Sequence, residues 1–133
     1  LLIRFPEHIN YASSNLEPED LISQALAGFY RNVIIYYNKA DSFDYQGFRA
    51  HLEDSAEALK LLDKLALLGE RDFYDFQTES AKAELLNIIA EMKTVARQAR
   101  KLRLQRAIAR AEKEGNDEEV SRLMNELNNL TAG

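Results

Sequence analysis

The sequence predicts an all-α fold: a helical bundle, then one long helix, then a C-terminal antiparallel helical hairpin. Three observations carry that expectation. Only two prolines and five glycines interrupt the 133 residues, so long helices can run unbroken. Apolar residues recur at spacings of three and four along most of the chain, the period of a helix that buries one face. Hydrophobic residues make up 46% of the composition, enough for a core and too many for disorder.

The elements follow in order. Leu1 to Phe5 reads as the end of a helix, and Pro6 opens a second, short one. Ser13-Ser14-Asn15 reads as a loop. Pro18 opens the next helix, with Glu19 and Asp20 in its first turn, where the dipole favours negative charge. Its stripe is Ile22, Leu26, Phe29, Val33 and Tyr36, and it runs to about Lys39. Val33-Ile34-Ile35-Tyr36-Tyr37 has the composition of a strand, but no second strand signal exists to pair with it. Asp41-Ser42 ends this helix and caps a short one holding Tyr45, Phe48 and Leu52.

A further helix starts near Asp54, carries Leu59, Leu62, Leu65 and Ala66, and stops at Gly69. Phe73, Tyr74 and Phe76 pin the following loop into the core. Thr78 caps a helix of some 35 residues, roughly 50 Å at 1.5 Å per residue, so part of it should project. Leu85, Ile88, Met92, Val95, Ala99 and Leu102 form its first stripe, and Leu104, Ile108 and Ala111 continue on a rotated face. Gly115 ends it, Asn116 caps the last helix, and Glu119 completes a capping box. Val120, Leu123, Leu127 and Leu130 then make a heptad stripe with Met124 beside it. Residues 1–100 are expected as the bundle and 101–133 as the hairpin.

Charge is unevenly distributed around a net of −5. Residues 1–92 hold 8 basic and 16 acidic side chains, a net of −8. Residues 93–111 hold seven basic ones (Lys93, Arg97, Arg100, Lys101, Arg103, Arg106, Arg110) and no acid. Residues 112–133 return to a net of −4. The basic stretch could track phosphates or an acidic partner. Its cations are spread around the helix and no aromatic interleaves them for base stacking, so direct nucleic-acid binding is the weaker reading.

Catalysis has little to work with. The chain has no cysteine, which removes disulfides, zinc–thiolate sites and thiol nucleophiles and suits a reducing cytoplasm. His8 and His51 are the only histidines, with no carboxylate at metal-ligand spacing, and read as surface or partly buried residues. Glu53-Asp54 and Asp72/Asp75 read as capping and solvating groups rather than cation ligands. No phosphate-binding glycine loop or nucleophile turn occurs. No cofactor, metal or small-molecule substrate is expected. No apolar run approaches the roughly 20 residues of a membrane helix, and Arg4 and Pro6 break any leader-like opening. The chain opens on Leu1 rather than Met and reads as a piece of something longer.

The strongest functional signal is the terminal hairpin, because two short helices bury little alone and would leave apolar surface for a partner. Leu123, Met124, Leu127 and Leu130 are expected to supply apolar contact or support. Arg106, Arg110, Arg122 and Glu126 are expected to set register and specificity, since charge complementarity selects partners more than it adds affinity.

The opening Leu1-Leu2-Ile3-Arg4-Phe5-Pro6-Glu7 resembles the first-helix signature of the C-terminal domain of bacterial DnaG-type primase, Leu-Leu-x-x-x-Pro-Glu. The ending resembles that domain too: an arginine-rich helix, then Gly115-Asn116-Asp117-Glu118-Glu119, then a leucine-striped last helix. The resemblance covers essentially the whole length in order of elements, while the middle offers no residue-by-residue match. It implies a non-catalytic module whose hairpin binds the N-terminal domains of the hexameric replicative helicase and couples priming to the fork. The polymerase and zinc-binding domains would lie upstream. The N-terminal domain of such a helicase has a similar body and is the near alternative. A nucleic-acid-binding helical module and a self-associating coiled coil are the others.

Overall fold

The computed structural model describes residues 1–132, and their regular structure is all helical, with no strand among them. Six α-helices follow one another: α1 Ile9–Asn15, α2 Gln24–Ala40, α3 Tyr45–His51, α4 Ala56–Phe73, α5 Thr78–Lys113 and α6 Asp117–Ala132. Single 3-10 turns at Pro6–His8 and Pro18–Asp20 precede α1 and α2. The chain forms two compact units, Leu1–Glu91 and Met92–Gly133, and α5 belongs to both.

In the first unit, proline shapes the entry. Leu1–Phe5 is a turn rather than the expected helix end, because the ring of Pro6 excludes Phe5 from the helical region and leaves it at φ −123°, ψ 69°. Ser13, Ser14 and Asn15 lie inside α1 instead of forming a loop. Ser13 and Ser14 return their hydroxyls to the Asn10 carbonyl (2.9 and 3.1 Å) and Asn15 its amide to the Tyr11 carbonyl (2.9 Å). Pro18 opens one turn only. Asp20 accepts from the Glu17 N–H at 3.0 Å and closes that turn, Leu21 is extended, and Ser23 caps α2 through the Leu26 N–H. Ile22, expected on the helical stripe, therefore lies outside it and is 59% exposed.

The strand-like run 33–37 is helical, within α2. That helix ends where Asp41 turns left-handed at φ 59°. The cap of α3 is Asp44, on the Gly47 N–H at 2.9 Å, rather than the expected Ser42. Ser55 caps α4. Gly69 does not stop α4: it is buried in the helix, and four helix-compatible residues follow it. Arg4 satisfies that helix end instead, donating from Nε to the Phe73 carbonyl (3.0 Å) and from Nη2 to the Tyr74 carbonyl (3.1 Å). Phe73 and Phe76 meet edge to face at 5.0 Å, but Tyr74, expected in the core, is largely exposed.

The core of this unit is Ile9, Phe29, Val33, Phe48, Leu52 and Leu62, and Phe48 is wholly enclosed. The rings of Phe29, Tyr36 and Phe43 lie 5.7, 5.4 and 5.1 Å from that of Phe48. His8 is buried, with Nε2 hydrogen-bonded to the Thr78 carbonyl at 2.9 Å. Thr78 is thus the first residue of α5 and not its cap, and Ser80 closes the turn on Gln77. Ala81, Leu85 and Ile89 are the buried positions on this part of α5.

The second unit is a helical pair. Glu112, Gly115 and Asn116 form the turn: Gly115 at φ 71° donates to the Glu112 carbonyl (3.1 Å), and Asn116 to the Ala111 carbonyl (2.9 Å). This six-to-one and five-to-two pattern ends a helix with a left-handed residue. Asn116 then accepts from the Glu119 N–H at 3.2 Å and starts α6. The Glu119 carboxylate does not reach back to complete a capping box, because Arg122 holds it. Leu104, Ile108, Ala111 and Leu123 form one buried seam, with Ala107, Val120, Leu127 and Leu130 packed against it.

Candidate partner-docking surface

The eight residues expected at a partner surface fall into three settings. Leu123, Leu127 and Leu130 belong to the seam between α5 and α6: Leu123 is buried and the other two are half-buried. Their first task is to hold the pair together. Met124 stands off that seam and is 43% exposed, the one large exposed apolar side chain of α6 among the described residues. The charged residues divide between the two helices.

On α6, Arg122 is shared by two carboxylates. It pairs with Glu119, three residues back, and reaches the Glu126 carboxylate at 2.8 Å, four residues on. The hydrogen bond from Arg122 holds the Glu119 carboxyl below its ordinary range. Arg122 and Glu126, expected to meet a partner, are in this chain each other's partners. A docking surface using them must first exchange those bonds.

On α5, none of the seven cations of 93–111 enters an ion pair among the described residues. The acidic carboxylates of α6 do not neutralise Arg106 or Arg110, both of which are exposed. Helical spacing sorts these cations further. Arg103, Arg106 and Arg110 recur by three and four, as the seam residues do, and lie roughly 130° round the helix from the seam at 3.6 residues per turn. Lys113 extends the same side.

The apolar residues of α5 hold a surprise for the sequence reading. Between Ile89 and Leu104 no residue is buried. Val95 and Leu102, on the first apolar stripe of the sequence, are 47% and 46% exposed. The usable signal was a cation within almost every turn from Lys93 to Arg110, which is unlike a buried stripe.

Among the described residues, no group of three or more His, Cys, Asp or Glu is placed to hold a metal ion. An open groove in the first unit is bordered by Ile3, Arg4, Tyr45, Ala66 and Glu70, and its one guanidinium is engaged in capping α4. No helix is long and apolar enough to cross a membrane.

The fold and this surface define an all-α protein whose second unit is a self-seamed helical pair, with cations on α5 that enter no ion pair among the described residues. No known family, curated protein or solved structure matches the chain.

Proposed function

We propose that this chain is a protein-docking module that works through its second unit, and that its partner is the N-terminal domain ring of a hexameric replicative helicase. One observation carries the docking reading: a helical pair that completes its own seam while presenting Arg106, Arg110 and Met124 to solvent. Such a surface has fixed geometry, so little ordering entropy opposes binding. Its cations steer an acidic partner and its methionine adapts to an apolar pocket. The helicase as partner rests on the resemblance of the opening and closing segments to the primase C-terminal domain.

The test is calorimetric titration of the chain into the helicase hexamer. Met124→Asp and the pair Arg106→Glu with Arg110→Glu change exposed side chains and leave the seam intact. Saturable binding that each variant weakens about tenfold or more supports the reading. No binding by the folded chain removes the helicase, and binding that ignores all three positions removes this surface.

A further inference from the structure

We propose that the face of α5 formed by Val95, Ala99, Leu102 and Arg106, with Arg103 and Arg110 beside it, docks an acidic amphipathic helix of a partner protein. This face shares Arg106 and Arg110 with the docking surface proposed above but does not use Met124, and the inference stands whether or not the helicase is the partner.

Val95, Ala99, Leu102 and Arg106 are separated by four, three and four residues, so they run in one line along the helix. That line lies roughly opposite the seam of Leu104, Ile108 and Ala111 at 3.6 residues per turn, so α6 does not cover it. The two large apolar residues on it are each nearly half exposed, and Ala99 between them lets a partner backbone approach closely. From Val95 to Arg110 the face is roughly 22 Å long at 1.5 Å per residue, about the length of a four-turn helix.

Charge decides the occupant. The stretch 93–111 carries seven cations and no acid, and none is ion-paired among the described residues. A second copy laid on this face would set seven cations against seven, which like-charge repulsion disfavours. A nucleic acid would satisfy the cations but leave Val95 and Leu102 without an apolar counterpart, and no aromatic in the stretch could stack on a base. A helix with an apolar stripe flanked by glutamates or aspartates meets both demands. Its stripe covers Val95, Ala99 and Leu102, and its carboxylates reach the arginines, whose methylene stems widen the apolar contact.

The probe is a fluorescently labelled synthetic helix of about 16 residues with a leucine stripe and glutamate flanks, matched to the face at 1.5 Å per residue. Its lysine-flanked counterpart and a single-stranded DNA oligonucleotide run beside it, against the full chain, by anisotropy. The expected result is saturable binding of the acidic helix only, weakened about tenfold or more by Leu102→Asp and by Arg103→Glu. Circular dichroism confirms that each variant remains helical, and Leu102→Ser provides a milder second variant at that position. Absence of saturable binding by the acidic helix overturns the proposal, as does binding unchanged by both Leu102 variants. DNA binding lost in Arg103→Glu and kept in Leu102→Asp overturns it in favour of a phosphate-tracking surface. Arg106 and Arg110 are common to both surfaces, so the two failures are told apart by Met124→Asp, which touches only the helicase reading, and Leu102→Asp, which touches only this one.

Discussion

Replacing Gly115 by alanine separates two conformations by the sign of its effect. If residues 114–116 continued a helix, alanine would stabilise it by up to about 1 kcal/mol, the usual advantage over glycine in a helix interior. The structure gives the opposite sign. Gly115 sits at φ 71°, where a Cβ crowds the following carbonyl at a cost of about 1–2 kcal/mol. Nothing else lies within 4 Å of where that Cβ would be, so no clash adds to the backbone penalty and no contact offsets it. Gly115→Ala should therefore destabilise the helical pair by about 1–2 kcal/mol, and Gly115→Asn by less, because asparagine tolerates the left-handed region. Amide hydrogen exchange at Leu123 and Ile108 reads the local opening of the seam, which a global melt of a two-unit chain would blur. Slower exchange in Gly115→Ala, or no change, would refute the left-handed turn and with it the assignment of the seam.

Two further predictions concern the first unit. Gly69→Ala should stabilise it by about 0.5–1 kcal/mol in urea denaturation, since the residue is mid-helix and its new Cβ would meet the Arg4 Cβ at an ordinary 3.6 Å; a loss of stability would mean that α4 ends there after all. The Tyr30 hydroxyl donates to the Leu16 carbonyl at 2.7 Å, and burial, reinforced by Glu17 and Asp20, pushes its pKa up to about 12 from 10. Above pH 10 the unfolded tyrosine releases its proton while the folded one keeps it, so this contribution is whole below pH 10 and is lost as pH rises through 12. Tyr30→Phe should lower stability at neutral pH and flatten that alkaline decline, and a decline unchanged in the variant would show that another group causes it.

The fold was legible in the sequence where local chemistry and apolar period agree. The three-and-four spacing gave α5 as one helix and put Leu104, Ile108 and Ala111 on one line of it, where all three are buried. Gly115 and Asn116 identified the turn because only a few residue types tolerate the left-handed region or cap a following helix. The errors arose where a residue type has two uses. Gly69 lies inside a helix rather than at its end, and the Ser13-Ser14-Asn15 cluster bonds back into α1 instead of opening a loop. The sequence offers two helix starts close together, Pro18 with Asp20 three residues past Glu17 and then Ser23, and only the second opens the long helix. Arg4 holding the end of α4 is a contact across 69 residues, and no local pattern announces it.

The same ambiguity bears on how the second unit must be tested. A leucine stripe reads equally as a seam and as a docking face, and here Leu123, Leu127 and Leu130 line the seam. Leu127→Asp would place a charge against Leu104 and its neighbours and open the pair, so lost partner binding in that variant would report unfolding as readily as a lost contact. The informative positions are those whose side chains already face water. Met124, Arg106 and Arg110 can change without touching the seam, and so can Val95 and Leu102 on the opposite line of α5. The Arg122 pairings add a separate measurement, because Arg122→Ala frees Glu119 and Glu126 together. Binding strengthened by that variant would mean the partner supplies its own cations to α6. Binding weakened by it, with helix content unchanged, would place Arg122 in the contact itself.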